Sequence, residues 1–385
     1  MDKTAFGSSP AGSLAPTIGG QFAFVPHDLP PELDLSALLV PLTQATQALG
    51  QLNGVMTTLP DPYLLIRPLE AREALTSSSM EGTYTTVDAL LLAEAGFEGA
   101  RQTADTREVH NYARALRNAI KSLDELPLCL RTIKSAHADL LKGVGRGRGA
   151  AAEAGEFKSS QNWIGSASIK NARFVPPPPQ IARDRMHALE LYIQREDRQA
   201  LPALLDAALI HYQFETIHPF ADGNGRVGRI LIPIVLVDRK TLSHPALFMS
   251  PYLEARKDDY IDRMLLVSQA GRWTDWIVFF LEAVEETCKQ TIETANTLFA
   301  LRERYRKNLQ EAGRSALLLK IVDYLFINPV FTTPQLAVFL SITYRAAQNN
   351  IDIVKSVGAI EEVPDTSHPK YFAAREIMST IASGQ

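Results

Sequence analysis

Apolar residues recur at three- and four-residue spacing through most of the chain, which predicts a mainly helical fold. The helical runs are residues 35–52, 87–95, 108–123, 130–141, 201–217, 227–237, 273–286 and 291–309. Leu59-Pro-Asp-Pro62 ends the first run, because proline has no N–H to give to a helix interior. Pro202 suits a helix first turn, whereas Pro233 falls inside a periodic run and predicts a kink. Strand-compatible stretches are few. Residues 155–165 and 172–175 flank a Gly/Ser turn and stop at Pro176 to Pro179, so they read as a β-hairpin that ends in polyproline geometry. From about residue 315 the pattern changes to helix 317–326, helix 333–340, helix 343–357 and a two-stranded wing over 359–363 and 370–372. That is the order of a winged helix-turn-helix. Clustered Gly, Ser and Pro in residues 1–30 predict a mobile arm that joins the body near Phe22-Ala-Phe24. The domain order is therefore arm 1–30, N-terminal helical region 31–125, central core 126–310 and winged domain 313–385.

The helical runs 201–217 and 227–237 bracket twelve residues, HPFADGNGRVGR, from His218 to Arg229. A helix does not pass easily through Asp222-Gly223-Asn224-Gly225, so the stretch reads as helix, tight loop, helix. Two glycines around Asn224 supply freedom for positive φ, which lets successive N–H groups turn inward as an anion-binding nest. The positive end of the following helix adds to that nest. Asp222 offers a hard oxygen ligand for Mg²⁺, and Arg226 and Arg229 can fork onto phosphate oxygens. His218 stands at the loop entrance, where a neutral imidazole can take a proton from an incoming hydroxyl. Phe220, the apolar side chain of a polar loop, reads as a core anchor, and His211 as core or support. Taken singly, His before Pro is usually a loop residue, D-G and N-G are usually turns, and two helical arginines usually face water. All of these in phosphate-binding order within twelve residues point to a metal-bound polyphosphate.

The stretch resembles the signature of the Fic family: His, any, Phe, any, Asp or Glu, Gly-Asn-Gly-Arg, any two, Arg, matched at every specified position. The resemblance implies a Fic helical core with a small β-hairpin flap and transfer of AMP from ATP to a Ser, Thr or Tyr hydroxyl of a protein target, or of the chain itself. In that reading His218 is the base, and Asp222 positions Mg²⁺ across the α and β phosphates. Gly223, Asn224 and Gly225 stabilise developing charge, and Arg226 and Arg229 hold the β and γ ends. Residues 155–175 correspond to the family's flap, on which an extended target segment pairs, and an open strand edge suits that task. Aromatics after the signature, Tyr252 and Tyr260, stand where a base could stack, and Tyr260 is taken as the nucleotide contact. His110-Asn-Tyr112 resembles a further core segment.

A second resemblance lies upstream, in PLEAREALTSSSMEG over residues 68–82. Residues 70–75 are good helix formers, Ser77 and Glu81 are four apart on one helix face, and Gly82 suits a helix end. An acid near the last turn opposes the helix dipole, at a cost of roughly 0.3–1 kcal/mol unless a cation meets it. The bland alternative is Ser79 capping a following helix with Glu81 solvated. Ser77, three residues, Glu81, Gly82 is similar to the inhibitory-helix motif of many Fic proteins. The resemblance implies that Glu81 pairs with Arg229 and blocks the γ-phosphate.

Length and composition change this picture little. With 385 residues and 46% apolar composition, the chain can bury a sizeable core in two or three domains. No apolar run approaches the roughly 20 residues of a membrane span, and the N-terminus lacks a basic-then-apolar signal pattern, so a cytoplasmic location is expected. Cys129 and Cys288 show no metal-type spacing and read as bystanders. The glycine-rich run 143–149 follows a helix and precedes Ala-rich chain, which makes it a loop rather than a nucleotide fingerprint. A net charge of −4 argues against a globally basic nucleic-acid binder. In the winged domain Arg345, Gln348, Asn349, Asn350 and Lys355 could read base edges, but Glu361, Glu362 and Asp365 would repel phosphates. Protein interaction or homodimerisation is favoured there over DNA. The alternatives left open are removal of AMP from a modified protein, with Glu81 orienting water, and a nucleotide-sensing DNA-binding regulator.

Overall fold

The computed structural model describes residues 1–59, 61–97, 103–144, 153–311, 316–364, 366 and 369–382. It is mainly helical, with small antiparallel sheets. In chain order the elements are β1 (Gly12–Pro16), β2 (Phe22–Pro26), α1 (Leu35–Thr58), α2 (Tyr63–Ser79), α3 (Val87–Glu94), α4 (Ala104–Ser122) and α5 (Leu130–Leu140). Then come α6 (Pro179–Ile193), α7 (Ala203–Ile217), α8 (Asn224–Asp238), α9 (Ser250–Ala255), α10 (Lys257–Ala270) and α11 (Trp273–Glu311). The chain ends with α12 (Ala316–Ile327), β3 (Val330–Thr332), α13 (Thr333–Leu340), α14 (Tyr344–Ser356), β4 (Glu361–Glu362), β5 (Tyr371–Ala373) and α15 (Arg375–Ala382). Contacts group these into two compact units, Met1–Gly54 with Asn111–Cys288 and Val55–His110 with Lys289–Gln385. This division does not follow the ranges read from the sequence, because α1, α4 and α11 each run through a boundary.

In the first unit α7 lies against α8, and α5, α6 and β2 pack around this pair. The reason is compositional: nearly every side chain of α7 and α8 is buried, including Leu209, Phe214, Ile230 and Leu231. Fixing such apolar helices inside the unit makes the loop between them a rigid mount. The kink expected at Pro233 does not end α8, which continues to Asp238. Residues 1–30, expected as a mobile arm, instead carry the β1–β2 hairpin, in register from Gly12 opposite Pro26 to Pro16 opposite Phe22. Its anchor is aromatic: Phe6, Phe24 and Phe174 form a ring cluster with centroids 5.7–6.1 Å apart. Those rings come from segments about 150 residues apart, which composition does not reveal. The Phe24 N–H also donates to Val175 O at 2.9 Å. The hairpin expected over 155–175 is reduced to a single antiparallel bridge, Ile164 with Phe174.

In the second unit α2 packs against α12 and α15. Its end is a Schellman turn: the Thr83 N–H donates to Ser78 O at 3.0 Å and the Gly82 N–H to Ser79 O at 2.9 Å, with Gly82 at φ +79°. Glu81 is thus the residue at the end of the last turn, and it is exposed. Where two helices were expected over 273–286 and 291–309, α11 runs unbroken for 39 residues, since no Gly or Pro separates them. The C-terminal sheet has the order β3-β5-β4, and β3 was not anticipated from the sequence. Its acids are paired, Glu361 with Arg375 and Glu362 with Lys370. Asp365 and residues 145–149 of the glycine-rich run lie outside the described residues.

Candidate active site

The signature begins where α7 stops. His218 caps that helix in a left-handed conformation, φ +48° and ψ 60°, a region in which a side-chain-bearing residue is strained. His218 Nδ1 lies 3.3 Å from Glu215 O. A carbonyl can only accept, so Nδ1 carries the proton in this contact and Nε2 is the basic nitrogen. The loop is then cinched by Asn224, whose Oδ1 accepts from the Phe220 N–H and whose Nδ2 donates to Phe220 O, both at 2.8 Å. The Asn224 side chain is therefore spent on the loop, and what it offers an anion is its backbone N–H. Of the two glycines that flank Asn224 only Gly223 is left-handed, at φ +78°; Gly225 already lies in the first turn of α8. The positive φ expected at Gly225 is found at His218 instead.

Gly223 is the N-cap of α8 and, having no side chain, makes no capping hydrogen bond of its own. The first turn of this 15-residue helix opens on the loop, where a helix N-terminus favours an anion. Asp222 stands beside them, half-exposed, with Oδ1 accepting from the Gly223 N–H at 2.6 Å and 3.7 Å from the Arg226 guanidinium. Among the described residues, its Oδ2 makes no hydrogen bond. Arg226 and Arg229 are buried, an environment in which a guanidinium acts on phosphate with little screening. Gly228 admits Glu215, whose carboxylate would lie 2.0 Å from a Cβ at that position. Among the described residues, no group of three or more His, Cys, Asp or Glu could hold a metal by itself. A single available carboxylate oxygen fits a cation that brings its other ligands as phosphate and water.

Beneath the loop lies a residue that the sequence did not single out. His137, fully buried on α5, stacks on Phe220 with ring centroids 3.7 Å apart and planes 10° from parallel. Its Nδ1 accepts from the Gly155 N–H at 3.0 Å, so Nε2 bears the proton and donates to Asp222 O at 3.1 Å. The neutral ring thereby orients the residue proposed to hold the metal. Phe220, buried among His137, Phe157 and Phe214, is the anchor that its apolar character predicted. Lys158 and Asn162, also unmarked in the sequence, contact the loop backbone.

Tyr260 does not fit the base-stacking role expected of it. Its side chain is buried, its hydroxyl is 2.8 Å from His211 Nε2, and its ring packs with His211, Trp276 and Phe279. A tyrosine on the apolar face of α10 was drawn into the core. Tyr252 is buried too, with the Arg256 guanidinium 4.0 Å over its ring. Ser77 is buried on α2 and Glu81 ends that helix, both in the second unit, whereas Arg229 belongs to the first.

His211 is support rather than chemistry. Its Nδ1 donates to Gly228 O at 2.9 Å, so Nε2 accepts from the Tyr260 hydroxyl. Burial pushes its pKa down from 6.5 to about 4. The unfolded chain therefore takes up this proton first as pH falls, so the stabilisation is complete above about pH 6.5 and is lost towards pH 4. Denaturant titrations of wild type should lose stability across that window. His211→Gln should show a shallower slope, by up to about 1.4 kcal/mol per pH unit. Equal slopes would remove His211 from the acid response.

A family model described as Fic/DOC family N-terminal matches residues 39–121, and one described as Fic/DOC family matches residues 127–236, together half of the chain. A probable protein adenylyltransferase of Aquifex aeolicus is 28% identical over 169 residues, 43% of this chain and 47% of that protein. The protein adenylyltransferase Fic of Nematostella vectensis is 35% identical over 85 residues, 22% of this chain and 18% of that one. The chain thus spans less than half the length of these curated relatives. A crystal structure of a Fic family protein from Desulfovibrio desulfuricans G20 shares the fold, with a TM-score of 0.58 and 18% identity, over 90% of this chain and 98% of that one.

Proposed function

The chain belongs to the Fic/DOC family, and from that premise we propose that it transfers AMP from ATP to a Ser, Thr or Tyr hydroxyl of a protein. One observation carries the reading: a left-handed His218 and the Gly223-opened start of α8 sit within one loop, with Asp222 and two buried arginines beside them. His218 Nε2 takes the hydroxyl proton as the oxygen attacks the α-phosphorus. The bond from that phosphorus to the α,β-bridging oxygen breaks, and pyrophosphate leaves. The first-turn N–H groups of α8 meet the charge that develops on the phosphates, and Arg226 and Arg229 bind the β and γ ends. Asp222 is the residue that would hold a Mg²⁺ ion, which when bound would neutralise charge on the phosphates. The work is positioning and prearranged charge. The target segment pairs with the flap, residues 155–175, through main-chain hydrogen bonds.

The metal assignment is open to a direct test. Asp222→Ala should lose Mg²⁺-dependent ATP binding, because no other signature residue offers a hard oxygen ligand. Calorimetric titration with and without Mg²⁺ measures this, and an unchanged metal dependence would count against Asp222. For regulation, the motif Ser77, three residues, Glu81, Gly82 supports autoinhibition, in which the Glu81 carboxylate competes with the γ-phosphate for Arg229. The order of the C-terminal helices and sheet supports a winged helix-turn-helix, and the chain's net charge of −4 favours protein over DNA as its partner.

A further inference from the structure

Four consecutive carbonyls at the loop entrance, those of Ile217 to Phe220, accept from donors of one short segment. The Lys158 N–H donates to Pro219 O at 2.8 Å, and Lys158 Nζ donates to Ile217 O at 3.4 Å. Asn162 Nδ2 donates to His218 O at 3.2 Å and to Phe220 O at 3.0 Å. Lys158 Nζ also donates to Asn162 Oδ1 at 2.7 Å. That contact settles the amide's orientation, since its oxygen faces an ammonium and its nitrogen must then face the carbonyls. We infer that Lys158, acting through Asn162, is a positioning residue that holds the backbone of His218 in its left-handed conformation and so sets the reach of the imidazole.

Several features support this beyond the contact geometry. Lys158 is only 2% exposed, and among the described residues no carboxylate pairs with it. Burial pushes its pKa down to about 7. A buried ammonium without a counter-ion costs the fold stability. Among the described residues its partners are Asn162 and the loop backbone, so the loop is what the lysine serves. Neutral or charged, the amine has protons enough for both acceptors, and the device survives deprotonation. The same segment runs on from Asn162 to Ile164, the bridge residue of the flap. It therefore ties the base and the expected target edge into one frame, so a shift of either moves the other.

The inference rests on His218 being the base, and its test separates the two. Lys158→Met keeps the aliphatic stem and removes the donors. Its melting temperature should equal or exceed that of wild type, because the desolvated charge is gone. Its kcat for AMP transfer should nonetheless fall on the order of 100-fold, as expected for a misplaced base, with KM for ATP within about threefold of wild type. Lys158→Arg should recover part of kcat, and Asn162→Ala should repeat the loss even if Lys158→Met fails to fold. Amide hydrogen exchange gives a readout independent of activity: the His218 and Phe220 N–H groups should exchange at least about tenfold faster in either donor-deleting variant. If wild type transfers no AMP, the proposed reaction falls while exchange still decides the role of Lys158. Wild-type kcat with unchanged exchange in Lys158→Met or Asn162→Ala overturns the inference. A loss in which kcat and melting temperature drop together, without rescue by Arg, does so as well.

Discussion

His218→Ala is expected to abolish AMP transfer while ATP still binds. A positioned base contributes about 10²–10⁴ in rate, and an alanine leaves nothing in the loop with a suitable proton affinity. In the proposed reading the phosphates are met by other groups, the first turn of α8 and the arginines, so the dissociation constant should stay within about threefold. The left-handed backbone at this position costs an alanine roughly 1–2 kcal/mol, which is about what it already costs the histidine. The Asn224 staple on Phe220 and the donors on His218 O remain. The variant should therefore fold, and a melt would confirm it. A folded His218→Ala protein that transfers AMP at the wild-type rate would remove His218 from its role.

Glu81→Gly should have the opposite effect, raising automodification by about tenfold or more, at about 1.4 kcal/mol per factor of ten. The substitution is tolerable locally: Glu81 is exposed at the end of α2, and Gly82 already makes the left-handed turn. Removing the carboxylate also removes an acid from the negative end of a helix, so stability should change little. Arg229→Ala should lower activity with or without Glu81, because it deletes the proposed phosphate ligand itself. In the Arg229→Ala background, Glu81→Gly should then recover little. A double variant with the full activity of Glu81→Gly would show that Arg229 is not the γ-phosphate ligand and that the proposed competition is wrong.

What could be read from the sequence was whatever depends on neighbours along the chain. The spacing of α1, α3 and α5 appeared as periodicity, and the signature loop appeared as glycines, a histidine and arginines within twelve residues. Local patterns also suggested that Phe220 and His211 would be buried. What could not be read depends on distant partners. His137 and Asp222 are 85 residues apart and meet only because α5 packs against α8. The aromatic cluster that orders the N-terminal hairpin takes Phe6 and Phe24 from one end of the unit and Phe174 from another. Tyr260 was misassigned for the same reason, since an aromatic next to charged residues looks exposed until the facing His211 and Trp276 are known. A lone Lys158 within a strand-compatible, Phe-containing run was the one local hint of a buried charge, and its four-residue spacing to Asn162 gave no sign of what the pair holds.

AMP transfer requires that the α-phosphorus of ATP pass, with its adenosine, to a protein hydroxyl. Purified Glu81→Gly protein incubated with Mg²⁺ and ATP labelled at either the α- or the γ-phosphate tests it most directly. Label from the α position should remain covalently on the protein, with a mass increase of one AMP, and label from the γ position should leave entirely as pyrophosphate. Retention of the γ label without the α label would mean phosphoryl transfer, and retention of neither would mean no transfer to the protein; each contradicts the account.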